Sequence, residues 1–413
     1  MVAFKQSSLS LMSVVACVCM PLIVMAADSD GVDSDGATSD LPTLSDTNAV
    51  NSESEGVDLG QGDRFKLNGF LSAGMLVTDA SGSAAYDIPE HGEVTNDPSF
   101  GASTLIGLQL TAKLNDQFSA VGQFVASGDN TNGNTAYDVD STWAFVQYQP
   151  ASNVKVNLGR MRLPLFMYSD TIQVGYSYPY SFLPNEVYRI VPFYDMNGIS
   201  TIYERSIGSS DWTLQVQPFY GQDTSQYDVI TGSGNEQLTD YDENNLIGTS
   251  VTFSNSNMVF HASYTHLGLT ATPSGSNQST FNNADTSFYS FGAKLNINNI
   301  LLSGEYAHRN VPEGVAELTG FYGTLGYQLE KFLPTLTYAH LKTDNQNELT
   351  PAEEAPEAQE SYTFSLAYYL TDSIDLKASV GDIHLLDGTN GMFDSDPGKS
   401  NVWLYGFGVD AIF

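Results

Sequence analysis

The chain has 413 residues, with 48 Asp and Glu against 15 Lys and Arg and a formal net charge of −33. That balance excludes nucleic-acid binding, because phosphate contacts need clustered cations. Only 15% of residues are charged, while Tyr (23), Phe (22) and Gly (36) are abundant, and no apolar run of about 18 residues follows the amino-terminal leader, which excludes transmembrane helices.

At the amino terminus one cation, Lys5, precedes an apolar run from Leu9 to Met25. Val24-Met25-Ala26 offers the small residues that a signal peptidase reads, so residues 1–26 are expected to be a signal peptide cleaved before Ala27. Val14-Val15-Ala16-Cys17 also resembles a lipobox, but cleavage there would leave the greasy stretch Val18 to Val24 on the mature chain. Both cysteines, Cys17 and Cys19, fall inside the leader, which leaves the mature chain without a disulfide or Cys-metal argument. Residues 27–63 are rich in Asp, Ser, Gly, Thr and Glu with no aromatic, and are expected to form an acidic disordered linker. Within it Asp28-Ser29-Asp30-Gly31 and Asp33-Ser34-Asp35-Gly36 repeat, but no Glu stands where a twelve-residue Ca²⁺ loop needs its bidentate ligand.

From Arg64 onward the text alternates apolar and polar residues in segments of about ten, the signature of strands that face lipid on one side and water on the other. Sixteen segments are expected, over 65–78, 103–114, 118–126, 142–149, 154–161, 198–205, 212–221, 246–254, 258–267, 287–297, 300–309, 319–329, 332–341, 361–370, 374–383 and 402–413. An even number returns both ends to one side, and a sixteen-strand antiparallel β-barrel leaves an aqueous channel. Connections alternate between short turns, such as Asn298-Asn299 and Glu330-Lys331, and long ones rich in Asp, Glu, Gly and Pro.

The third long connection, Leu163 to Asp195, is dense in aromatics, from Phe166 and Tyr168 through Tyr176, Tyr178 and Tyr180 to Tyr188, Phe193 and Tyr194. A solvated loop would not expose that much apolar surface, so it must pack on something. Just before it, Arg160 and Arg162 share the parity of Val154, Val156 and Leu158 and would face outward, either toward a subunit interface or, if Gly159 makes a bulge, turned toward the lumen. Inward parity carries Lys66, Lys113, Lys155, Lys294 and Lys377 near one end of the barrel. Carboxylates gather at the other: Asp87, Glu90 and Glu93 in the first long connection, Asp228, Glu236, Asp240, Asp242 and Glu243 in the fourth, Glu348, Glu353, Glu354 and Glu357 in the seventh.

Enzyme chemistry finds no support. His261 and His266 are five apart on one strand and face opposite sides, and His308 and His340 share parity with Tyr306 and Tyr338 as interfacial ring residues. No His-Glu-x-x-His run, phosphate loop or Cys set is present, so neither metal nor cofactor is expected.

The last strand places Trp403, Tyr405, Phe407, Val409, Ala411 and Phe413 on one parity and ends on the aromatic itself. It resembles the closing strand of Gram-negative outer-membrane barrels, whose terminal aromatic, here Phe413, is part of the assembly signal. Leu158-Gly159-Arg160-Met161-Arg162-Leu163-Pro164, leading into the aromatic connection in a sixteen-strand pattern, resembles the general bacterial porins. That resemblance covers about residues 65–413 and implies an all-β outer-membrane barrel whose third loop folds inward and sets acidic residues against a basic wall. It implies Arg160, Arg162, Asp170, Glu186, Arg189 and Asp195 at the constriction, a periplasmic side for the linker, a homotrimer, and lipid, lipopolysaccharide and the barrel assembly machinery as partners. Passive diffusion of ions and small hydrophilic solutes is the expected function. A channel selective for a sugar or small anion, and a surface adhesin, are the alternatives.

Overall fold

Alternation in the chain becomes two faces of one closed wall. In the computed structural model, which describes residues 57–58 and 64–413 except 91, 129–136, 277, 312–313 and 352, these strands form a single antiparallel barrel. We number its strands β1 (Phe65–Thr78), β2 (Leu105–Lys113), β3 (Phe118–Ser127), β4 (Asp138–Ala151), β5 (Val154–Arg162), β6 (Asp195–Ser206), β7 (Thr213–Ile230) and β8 (Glu236–Ser254). The second half comprises β9 (Met258–Pro273), β10 (Phe281–Ile297), β11 (Ile300–Asn310), β12 (Leu318–Tyr327), β13 (Phe332–Thr343), β14 (Ala358–Thr371), β15 (Ile374–Leu385) and β16 (Asn401–Ile412). Each strand pairs with its sequence neighbours, and β16 closes on β1 from Leu404↔Thr78 to Ile412↔Phe70. All sixteen expected segments coincide with these strands. Among the described residues no helix is long and apolar enough to cross a membrane.

The outer face carries the large exposed apolar side chains, among them Leu158, Ile199, Phe291, Leu302, Leu325, Leu336, Phe364 and Phe407. Opposite parity points inward and is small or polar, as at Ser263, Ser290, Ser303, Thr324, Thr337, Ser365 and Ser379, all buried. The short connections are tight by residue chemistry: Asn298 and Asn299 take φ of +51° and +67° between the paired ends Ile297 and Ile300, the two-residue turn that suits a twisted hairpin.

Two boundaries depart from expectation. The fourth long connection is not a loop: β7 and β8 continue as a ladder from Asp223↔Glu243 to Ile230↔Glu236, so Asp228, Glu236, Asp240, Asp242 and Glu243 stand on strands. Outside the apolar belt both faces of a strand are polar, so the alternation that reveals a strand in sequence fades while its main-chain pairing persists. At the other end, the expected leader lies outside the described residues, as does the expected linker except for Val57–Asp58, which pairs with Leu67 and Lys66 of β1.

Candidate functional site

The aromatic connection leaves the wall at β5 and rejoins it at β6, yet it reaches polar groups on the far strands β9 to β12, β14 and β15. The Leu165 carbonyl accepts from the hydroxyls of Ser263 on β9 and Ser290 on β10. Tyr188 donates to the Glu305 carboxylate of β11, which also accepts from Tyr322 at 3.1 Å and from the Met167 amide at 2.7 Å. Further along, Tyr180 donates to Thr324 on β12 at 2.9 Å, Gln359 on β14 donates to Glu186 at 2.8 Å, and the Ser181 amide donates to Ser379 on β15 at 3.2 Å. All these wall side chains have inward parity. Apolar packing follows the same path, with Phe166, Tyr168, Tyr178, Tyr188 and Ile190 buried in one cluster with Phe288, Leu318 and Tyr322 of the wall.

Lys377 holds the deepest part of this segment. Its ammonium donates to the Gly175 carbonyl, lies 2.9 Å from Asp410 and 3.3 Å from Asp375, and sits 5.2 Å from the Tyr178 ring centre. Gly175 is required there, because a Cβ would fall 2.0 Å from Asp410 Oδ1. Of the other lysines expected on the inner face, Lys294 is buried with its ammonium 5.7 Å from the Tyr168 ring, whereas Lys66 and Lys155 are half-buried. Lys113 instead reaches the turn at the barrel rim, 3.4 Å from Asp116.

The arginines form a second group, nearer the long connections. The register through Gly159 is unbroken, with Gly159 facing Phe145 and Gly198, so the bulge expected there is absent. Gly159 adopts φ +142° instead, which bends the strand without inserting a residue. Glycine is obligatory, since a Cβ would lie 2.2 Å from the Ala144 carbonyl oxygen. Beyond it Arg160 pairs with Asp195 at 3.1 Å and Asp223 at 3.0 Å. Arg162, with a side chain 3% exposed, pairs with Glu90 at 2.7 Å and Asp195 at 3.3 Å and donates to Gln173 of the aromatic segment at 2.6 Å. Arg189 bridges Asp87 and Glu357, each at 3.1 Å.

Sequence reasoning placed six residues together; the structure divides them. Arg160, Arg162 and Asp195 are in direct contact, Arg189 stands in its own pair of bridges, and Glu186 is buried against Gln359. Asp170 touches water while protein crowds it, and this desolvation raises its carboxyl to about 6 against the opposing pull of Arg162. Glu93, in the short hairpin of the first connection, is pushed to about 7 by partial desolvation and then by Asp394, Asp87, Glu236 and Asp228. The β7–β8 hairpin reaches this group from across the rim. Its tip bonds to the seventh connection, Gly232 donating to the Glu353 carbonyl at 2.9 Å and Ala355 to that of Ile230 at 2.8 Å.

Sequence reasoning missed Asp223, Glu305, Asp375, Asp410 and Arg309, the last 3.2 Å from Glu354. The signal that could have found Glu305, Asp375 and Asp410 is the inward parity they share with Lys377 and their small neighbours, but nothing in the spacing tied them to the aromatic segment. Away from that segment the inner wall carries a network of neutral side chains: Gln123 donates to Gln109 at 3.0 Å, Thr142 to Gln123 at 2.6 Å, Gln147 to Asn157 at 2.9 Å and Gln217 to Ser200 at 3.1 Å.

A family model described as Gram-negative porin matches residues 28–388. Among solved structures, the barrel is similar to OmpT of Vibrio cholerae, with a TM-score of 0.52 and 12% identity over 86% of this chain and 100% of that one. A trimer form of in-vitro folded Vibrio cholerae OmpT gives 0.50 and 15% over 84% and 99%. OmpF of Salmonella typhi, in a complex with daunomycin, gives 0.53 and 14% over 84% and 97%. At these identities the structures establish the fold. No curated protein matches the chain.

Proposed function

The chain belongs to the Gram-negative porin family, and from that premise we propose that its channel prefers cations, with the aromatic segment narrowing the passage. As a porin it is a non-enzymatic outer-membrane barrel for passive diffusion. The cation preference rests on one observation: the arginines at the rim are each matched by carboxylates, while Glu93 stands among the further carboxylates Asp394, Asp87, Glu236 and Asp228. Potential in a low-dielectric entrance follows net charge, so cations are concentrated there. Solutes then pass between the aromatic segment and the wall of β2 to β7, where amide and hydroxyl side chains offer hydrogen bonds beside the paired charges of Arg160, Asp195 and Asp223. In this reading Arg160, Arg162, Arg189, Asp170, Glu186 and Asp195 shape the narrow region, some by pairing and some by packing. A homotrimer is part of the proposal, supported by the trimer form of the similar OmpT, as is contact with lipopolysaccharide through the outer rim.

The test is the reversal potential of single channels in asymmetric KCl. A cation-selective potential is expected, and replacing Arg160 and Arg162 together by Gln should strengthen it by releasing Asp195, Asp223 and Glu90 from their partners. An anion-selective parent channel, or a double variant with lower cation preference, would refute the proposal.

A further inference from the structure

The outer face of the barrel carries a constellation that the channel does not use. His308 near the end of β11, Glu317 just before β12 and Asp344 just after β13 are far apart in sequence and meet only through strand pairing. One potential ligand atom from each lies within 4.8 Å of the others. His308 Nε2 is 3.3 Å from Glu317 Oε1, the separation of about 3.3 Å that two ligands adopt around a tetrahedral ion with bonds near 2 Å. On the other side of the ring, His308 Nδ1 is 2.8 Å from Thr319 Oγ1, and that hydroxyl donates to Asp344. A histidine whose Nδ1–H is held by a neighbouring oxygen has its tautomer fixed with Nε2 free as a ligand. Tyr289, with its ring centre 5.0 Å from that of His308, limits the ring's rotation. Lys342, 2.5 Å from Asp344 Oδ1, is the competing cation.

We propose that His308, Glu317 and Asp344 form a site for a divalent first-row transition-metal ion of the Zn²⁺ type at the outer rim, binding with displacement of Lys342 from Asp344. One imidazole with two carboxylates favours such an ion over Mg²⁺ or Ca²⁺, which prefer all-oxygen shells. The ion would join β11, β12 and β13 through the long connection between β11 and β12, which ends at Glu317, and the one after β13, which begins at Asp344.

The experiment is calorimetric titration of the purified full chain in detergent with ZnCl₂, in excess Mg²⁺ to saturate oxygen-only sites. One saturable Zn²⁺ site per chain is expected, lost in His308→Ala and in Glu317→Gln. Thr319→Val, which removes only the oxygen behind the ring, should weaken binding about tenfold or more. Lys342→Ala should tighten it, a result that no general loss of structure would give. His384→Ala removes a different rim histidine, one that lies 2.9 Å from Asp382, and should leave affinity unchanged. Absence of saturable uptake over Mg²⁺, or full uptake by a heat-modifiable His308→Ala barrel, would overturn the site. Unchanged affinity in Lys342→Ala would overturn the assignment of Asp344 as a ligand.

Discussion

Gly159 illustrates how much one residue without a side chain controls. Its φ of +142° and the 2.2 Å approach to the Ala144 carbonyl leave no room for a methyl group, so Gly159→Ala is expected to cost about 1–3 kcal/mol of strain. It should also loosen Arg160 and Arg162, and the check is a lower unfolding temperature of the heat-modifiable barrel together with altered ion selectivity. Asp170 and Glu93 are expected to contribute a pH dependence. Their carboxyls are raised to about 6 and about 7, so each is neutral below that value and anionic above it. Cation preference should therefore fall as pH drops from about 8 to about 5, earlier than unperturbed carboxylates would allow. Reversal potentials across that range would show it, and Asp170→Asn with Glu93→Gln should flatten the profile.

At the scale of elements, strands were legible wherever one face meets lipid, because the contrast between Leu302, Leu325 or Phe407 and their small neighbours survives in the text. The outer halves of β7 and β8 were not, since Asp223 to Ile230 has no such contrast and is held by main-chain pairing. The need of the aromatic segment to pack was legible from composition. Its partners were not, because Lys377, Glu305 and Gln359 are brought to it by barrel closure rather than by spacing. Arg160 and Arg162 were singled out from the sequence, yet parity gave no hint of Asp223 or Glu90 as partners. The attachment at Lys377 can be tested directly. Lys377→Met leaves Asp375 and Asp410 buried without their cation, a loss of about 3–5 kcal/mol. A lower unfolding temperature and a larger single-channel conductance, from release of the segment around Gly175, are expected. Unchanged values for both would show that the aromatic packing alone fixes the segment.

At the scale of the whole molecule, the wall is sealed by the first and last strands. Phe413 exchanges main-chain hydrogen bonds with Gly69, at 2.7 and 2.9 Å, and its ring covers that glycine so closely that a Cβ there would lie 2.3 Å from the ring edge. Deleting Phe413 removes two terminal hydrogen bonds from a seam that retains its register from Leu404 to Ile412. Assembly in the outer membrane is therefore expected to suffer far more than the stability of barrel folded in detergent. Normal amounts of heat-modifiable barrel in outer membranes of a strain producing the truncated chain would contradict this. The same seam sets an order in time. The edge of β1 that faces β16 can be covered only by the final residues of the chain, apart from the two pairs that Val57–Asp58 makes with Leu67 and Lys66. Closing that seam brings together residues more than 320 apart in the chain, the pairing of greatest sequence separation in the barrel and the one whose loop closure costs most entropy.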